Sequence, residues 1–225
     1  MNTKLCVLAS GLALAFTGSV AFAGSHGYTN QDGFNNDADI TQSFNRNAWA
    51  YIGQDGFRNE GEINQRHVSG WASIEQDGSR NDGKVEQRNA HASAEINQDG
   101  HSNKARVEQR NTSASAEITQ DGRHNFAKVD QKYGYNQDAT IYQNGSWNQA
   151  NVNQWRNADA DATIVQFGKM NVGDISQSHG SHQDAWILQA GMANNATITQ
   201  TGSWLRAGAA QFGVANSSTI TQTGW

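Results

Sequence analysis

"AEINQDGHSNKARVEQRN", residues 94–111, says the same thing twice. Ala94, Ile96 and Gln98 fall on alternate positions, and Ala105, Val107 and Gln109 repeat the series. A period of two marks a strand, whose alternate side chains share one face. The stretch therefore predicts two short strands, each turning a small residue, a β-branched residue and a glutamine to the same side. Gly100-His101-Ser102 between them has the composition of a tight reversal. What needs explaining is a glutamine where a core residue belongs.

The echo runs along nearly the whole chain. The pattern Gln-x-Gly-x-x-Asn-x-small-x-x-x-Gln begins nine times, at Gln31, Gln54, Gln76, Gln98, Gln120, Gln143, Gln166, Gln189 and Gln211, at intervals of 22 or 23 residues. Its second glutamines are Gln42, Gln65, Gln87, Gln109, Gln131, Gln154, Gln177, Gln200 and Gln222. Its asparagines are Asn36, Asn59, Asn81, Asn103, Asn125, Asn148, Asn171, Asn194 and Asn216. Two residues before either glutamine stands, almost always, Ile or Val.

A single copy cannot fold alone. Two buried Ile or Val side chains contribute about 1.5–3 kcal/mol each, while fixing the backbone of one copy costs at least about 20 kcal/mol. Stacking copies about 4.8 Å apart gives every backbone group a partner above and below, and puts each inward glutamine against the next. The expected fold is thus all-β: a β-solenoid of nine stacked strand-turn-strand repeats, with two parallel in-register sheets facing each other, of a kind that forms amyloid. In such a column each glutamine amide donates and accepts along the stack, so a buried polar group is satisfied. The asparagines form a similar column beside the turn. The absence of proline agrees with a chain that needs its backbone N–H donors in strands.

The first residues read differently. Lys4, the apolar stretch Leu5 to Phe16 and the small-residue motif Ala21-Phe22-Ala23 form an export signal, cut between Ala23 and Gly24. The chain divides into a signal peptide (1–23), a short N-terminal segment (24–30) and the repeat solenoid (31–225). The apolar run is too short for a membrane span. Cys6, the single cysteine, leaves with the signal, so no disulfide can staple the exported chain. A formal charge of −5 argues against nucleic acid and anionic lipid as partners.

The nine copies resemble the curlin repeat, Ser-x5-Gln-x-Gly-x-x-Asn-x-Ala-x3-Gln, of the subunits of curli, the extracellular amyloid fibres of Gram-negative bacteria. Gln98, Gly100, Asn103, Ala105 and Gln109 match it, as do Gln120, Gly122, Asn125, Ala127 and Gln131. The leading Ser is mostly replaced, by Ala92 and Ala114 in those two copies, and only Gly24 to Asn30 stands where curli subunits carry a targeting segment. The resemblance implies a secreted, cell-surface fibre subunit for adhesion and biofilm, of the major rather than the minor, nucleating type. It also implies the partners: other copies of itself, a companion curlin subunit and a curli-type outer-membrane secretion channel.

Outward positions distinguish the copies. Lys84, Glu86 and Arg88, then Arg106, Glu108 and Arg110, then Lys128, Asp130 and Lys132 stack like charges in columns with opposite charges alongside. They read as a solvated face or as gatekeepers that slow premature assembly. Asp32, Asp55, Asp77, Asp99 and Asp121 form an acidic column, without the Gly-Gly-x-Gly-x-Asp repeat of calcium solenoids. No cofactor or metal is expected, and Ser178-His179-Gly180-Ser181-His182 reads as a solvated turn. Two rival functions stand against the fibre. Thr197, Thr199, Thr201, Thr219, Thr221 and Thr223 resemble an ice-binding face, but on two copies only. A polysaccharide-active enzyme would need an acidic pair that breaks the repeat, and none does. Trp71, Trp147, Trp155, Trp186, Trp204 and Trp225 vary in position between copies and read as sticky surface patches.

Overall fold

The computed structural model describes residues 24–225; residues 1–23, expected to be an export signal ending at Ala23, lie outside the described residues. Sixteen strands follow in order: β1 (His26–Phe34), β2 (Asp37–Ser43), β3 (Ala48–Phe57), β4 (Glu60–Arg66), β5 (Ser69–Ser79), β6 (Asp82–Arg88), β7 (His91–His101), β8 (Lys104–Arg110), β9 (Ser113–Arg123), β10 (Phe126–Lys132), β11 (Tyr135–Ser146), β12 (Gln149–Lys169), β13 (Val172–Met192), β14 (Asn195–Thr201), β15 (Leu205–Val214) and β16 (Ser217–Thr223). Every pairing is parallel and joins one copy to the next.

The first sheet runs β1, β3, β5, β7, β9, β11, the later halves of β12 and β13, then β15. The second runs β2, β4, β6, β8, β10, the earlier halves of β12 and β13, then β14 and β16. The chain is a parallel β-solenoid of nine rungs, one per repeat. Strands β12 and β13 differ from the expected pair of short strands: each continues through a bend and serves both sheets.

The sheets meet through a core of Ala, Ile and Val. Ile52, Ile74, Ile96, Ile118, Ile141, Ile164 and Ile187 line one wall; Ile63, Val85, Val107, Val129, Val152, Ile175 and Ile198 line the other, and all are buried. The small residue of the motif is explained by this wall. A Cβ on Gly83 would lie 2.9 Å from Ile74 Cγ2, so an isoleucine from the facing sheet already fills that space.

Each rung turns twice. The first arc, Gly-x-x-Asn, needs a left-handed backbone twice in three residues, as at Gly100 (φ 114°) and Ser102 (φ 54°). A Cβ on Gly100 would stand 2.0 Å from the carbonyl oxygen of Gly122, so neighbouring rungs approach too closely for any side chain.

Candidate assembly site: side-chain ladders and open edges

The glutamines are joined into two unbroken columns. In the first sheet Gln31 Nε2 donates to Gln54 Oε1, and the link recurs through Gln76, Gln98, Gln120, Gln143, Gln166, Gln189 and Gln211 at 2.7–2.9 Å. In the second, Gln42, Gln65, Gln87, Gln109, Gln131, Gln154, Gln177, Gln200 and Gln222 are joined alike at 2.7–3.0 Å. The second amide proton goes to a backbone carbonyl across the core, as from Gln98 to Asp82 (3.1 Å) and from Gln109 to Ser93 (3.0 Å). Each interior glutamine thus binds one rung through its side chain and another through the main chain of the opposite sheet. Such a network is strong when complete and costly when one member is missing.

The asparagine column is built differently from an amide-to-amide ladder. Asn103 Oδ1 accepts the backbone N–H of Asn125 (3.1 Å), while its Nδ2 donates to the carbonyls of Asp99 (3.0 Å) and Gly122 (3.1 Å). The N–H to Oδ1 link runs from Asn36 through Asn59, Asn81, Asn103, Asn125, Asn148, Asn171 and Asn194 to Asn216. One side chain closes its own turn and receives the next, so the arc carries its own register. Only toward the C-terminal end do amides also touch, as where Asn194 Nδ2 donates to Asn171 Oδ1 (3.1 Å).

On the outer face of the second sheet, Lys84, Arg106 and Lys128 stand in register, as do Glu86, Glu108 and Asp130, and Arg88, Arg110 and Lys132. Opposite charges knit these columns together. Lys84 bridges Glu62 (2.8 Å) and Glu86 (3.1 Å), Arg110 bridges Glu86 (3.4 Å) and Glu108, and Lys132 bridges Glu108 (3.5 Å) and Asp130 (2.7 Å). The Glu62 hydrogen bond holds the Lys84 ammonium above its usual pKa. Burial pushes the Glu86 carboxyl up, but Lys84 and Arg110 outweigh it and hold the group below its ordinary value.

Several columns escaped the sequence pattern because they occupy only a few rungs, at positions the nine copies do not share. Asp138, Asp161 and Asp184 stack in register, and Arg206 of the next rung caps them, its Nη2 2.9 Å from Asp184. Burial, then Asp138 and Asp184, raise the Asp161 pKa. Gln137 and Gln183 are buried off the repeat pattern, where the Thr112 hydroxyl donates to Gln137 Oε1 (2.8 Å) and Gln183 donates to the Gly202 carbonyl (2.6 Å). Counting back from the leading glutamines Gln143, Gln166 and Gln189 finds them, five residues before for the aspartates and six for Gln137 and Gln183. The aromatics are likewise less scattered than their spacing suggests. Trp147 stacks on His124 (4.2 Å) and Trp204 on His182 (4.0 Å), while Trp155 meets His179 edge-on (4.4 Å). His179 and His182 are therefore packed against aromatic rings rather than merely solvated.

Among the described residues both ends of the stack are open: β1 and β2 pair only toward β3 and β4, and β15 and β16 only toward β13 and β14. All glutamine links point one way, leaving Oε1 acceptors at Gln31 and Gln42 and one Nε2 proton each at Gln211 and Gln222, whose other protons go to Asn195 and Arg206 carbonyls. The family model for the curlin associated repeat matches residues 33–66, 112–145 and 191–224, which cover both ends and the middle of this stack. The chain is a curlin-repeat protein. No curated protein matches it significantly. In this curlin-repeat solenoid the matched segments are pairs of adjacent rungs, and the rungs between them keep the same Gln, Gly and Asn positions.

Proposed function

We propose that the chain is a secreted structural subunit, without catalytic activity, that polymerises head to tail into extracellular curli-like amyloid fibres for adhesion and biofilm matrix. One observation carries this reading: the C-terminal rung offers glutamine donors and the N-terminal rung offers glutamine acceptors, each on a parallel edge unpaired among the described residues. A contact between unlike ends does not close, so it generates a filament. Stacking β15 on β1 of the next copy with Gln211 over Gln31 also sets Gln222 over Gln42 and Ile220 over Ile40, which continues both glutamine columns and the isoleucine wall of the second sheet, while in the first sheet Ala209 stands over Thr29.

The regularity of the repeats favours the major rather than the nucleating subunit, with a companion curlin subunit as partner. Residues 1–23 act as the signal peptide, and a curli-type outer-membrane channel exports the chain to the cell surface. The charged columns at Lys84 to Arg88, Arg106 to Arg110 and Lys128 to Lys132 act as gatekeepers before export.

Purified residues 24–225 test the reading. Thioflavin-positive fibres with a meridional reflection near about 4.8 Å are expected within hours. A chain that stays monomeric for weeks at micromolar concentration overturns it.

A further inference from the structure

The two broad faces of the solenoid carry different charge. At the outward positions of β3, β5, β7 and β9 stand Asp55, Glu75, Asp77, Glu95, Asp99, Glu117 and Asp121, with Arg123, the last residue of β9, the one lysine or arginine beside them. Asp32, Asp55, Asp77, Asp99 and Asp121 form one column in register. Among the described residues, none of these five lies within 4.0 Å of a cationic side chain. Burial and the neighbouring Glu117 and Glu75 raise the Glu95 pKa, the mark of a face crowded with carboxylates.

The second sheet presents the complement. Arg66, Arg88, Arg110 and Lys132 form a column in register along the edge of its outer face. Arg110 and Lys132 have carboxylate partners, but Arg66 and Arg88 are exposed and have none within the same distance among the described residues. The acidic and basic columns look outward from opposite sheets across a shared core, so they cannot neutralise each other within one chain. Both repeat at the same rung spacing of about 4.8 Å. A second copy lying alongside therefore meets carboxylate with guanidinium at the rungs that carry both columns.

We propose that the acidic outer face of the first sheet docks against the Arg66–Arg88 column of a second copy, joining filaments side by side. The proposal rests on the filament reading above. One exposed ion pair contributes little, about 0–1 kcal/mol, but a filament repeats the pairing in every subunit along its length, and the summed attraction is large. The attraction is electrostatic and screened by salt.

The test separates bundling from polymerisation. Residues 24–225 are assembled as wild type, as the double variant Asp77→Lys/Asp99→Lys, and as the double variant Arg66→Glu/Arg88→Glu. Thioflavin fluorescence reports polymer; low-speed pelleting and filament width by electron microscopy report bundles. Wild-type filaments should bundle at low salt and separate as salt approaches about 500 mM. Each variant should polymerise but pellet at least about threefold less. Mixing the two variants' preformed filaments should restore bundles, because the reversed faces complement each other. Wild-type-like pelleting of both variants, or no recovery on mixing, overturns the proposal. Should a reversal variant fail to polymerise, Asp77→Asn/Asp99→Asn replaces it: reduced bundling supports the proposal and unchanged bundling overturns it. Wild type without polymer refutes the filament reading itself, which thioflavin reads separately.

Discussion

The first arc of every rung is written with the same Gly-x-x-Asn nine times over, whereas the second arc, from the second glutamine to the next rung, is written differently almost every time. Across the first arc the glutamines are always 11 residues apart; across the second they are 11 or 12. Hydrogen bonding explains the contrast. In the first arc each asparagine closes its own turn and accepts the N–H of the next, so one missing link leaves buried groups unpaired in two rungs. The second arc uses the same device only locally. Asn45 Oδ1 accepts Val68 N–H (2.9 Å) and Asn157 Oδ1 accepts Gly180 N–H (3.3 Å), but Val68 and Gly180 have no side-chain amide with which to pass the link on. The first arc sets the register, and the second is free to vary in length and content.

The largest expected effect breaks the first arc. Gly100→Ala places a Cβ against the Gly122 carbonyl and strains a positive-φ backbone, so we expect a loss of at least about 3 kcal/mol. A drop in the guanidinium midpoint for fibre dissolution would register it. Insertion of one serine between His101 and Ser102 should be as damaging, while the same insertion between Asn111 and Thr112 only lengthens the second arc to a 12-residue spacing that other rungs already use. Equal damage from the two insertions would erase the distinction between the arcs.

Next in size is the asparagine. Asn103→Ala leaves the carbonyls of Asp99 and Gly122 and the N–H of Asn125 without this partner, at about 2–4 kcal/mol. Thr112→Ala in the second arc removes hydroxyl bonds to Gly134 and Gln137 and should cost about 1 kcal/mol. Dissolution midpoints measured side by side would show whether the arcs differ.

The smallest effect concerns the acidic column that follows the second arc. The folded stack raises the Asp161 pKa, so the folded state binds that proton more tightly than the unfolded chain does, and stability rises as pH falls through the raised value. The gain is absent well above that window, where the group is charged in both states. Assembly should therefore quicken on going from about pH 7 to about pH 4.5, and Asp161→Asn should shrink that acceleration. An unchanged pH profile in the variant would show that the column does not matter.

How much of this could be read from the chain follows the same division. Strands, rungs and the inward Ile, Val and Gln were legible because they repeat at a fixed distance from the glutamines. The two glutamine columns were legible for the same reason. The asparagine column was legible in place but not in mechanism, since only the backbone geometry reveals that Oδ1 serves a main-chain N–H. Gln137, Gln183 and the Asp138 to Asp184 column, five or six residues before the leading glutamines, were not legible, because they occupy only two or three of the nine copies and so fall outside the shared pattern. The knitting of Lys84, Arg110 and Lys132 with carboxylates on neighbouring rungs was also hidden. Its contacts between rungs, in register from Lys84 to Glu62 and diagonal from Arg110 to Glu86 and Lys132 to Glu108, offset the like-charge repulsion, about 1 kcal/mol per pair in water, that in-register columns alone suggest.

The central claim is that the glutamine columns continue from one molecule into the next. Fibres grown from an equal mixture of 15N-labelled and 13C-labelled chains allow solid-state NMR to detect contacts between molecules only. The account predicts cross-peaks from Gln211 Nε2 to Gln31 Cδ and from Gln222 Nε2 to Gln42 Cδ. Well-ordered fibres that lack both, or that pair Gln211 with Gln211, would contradict it.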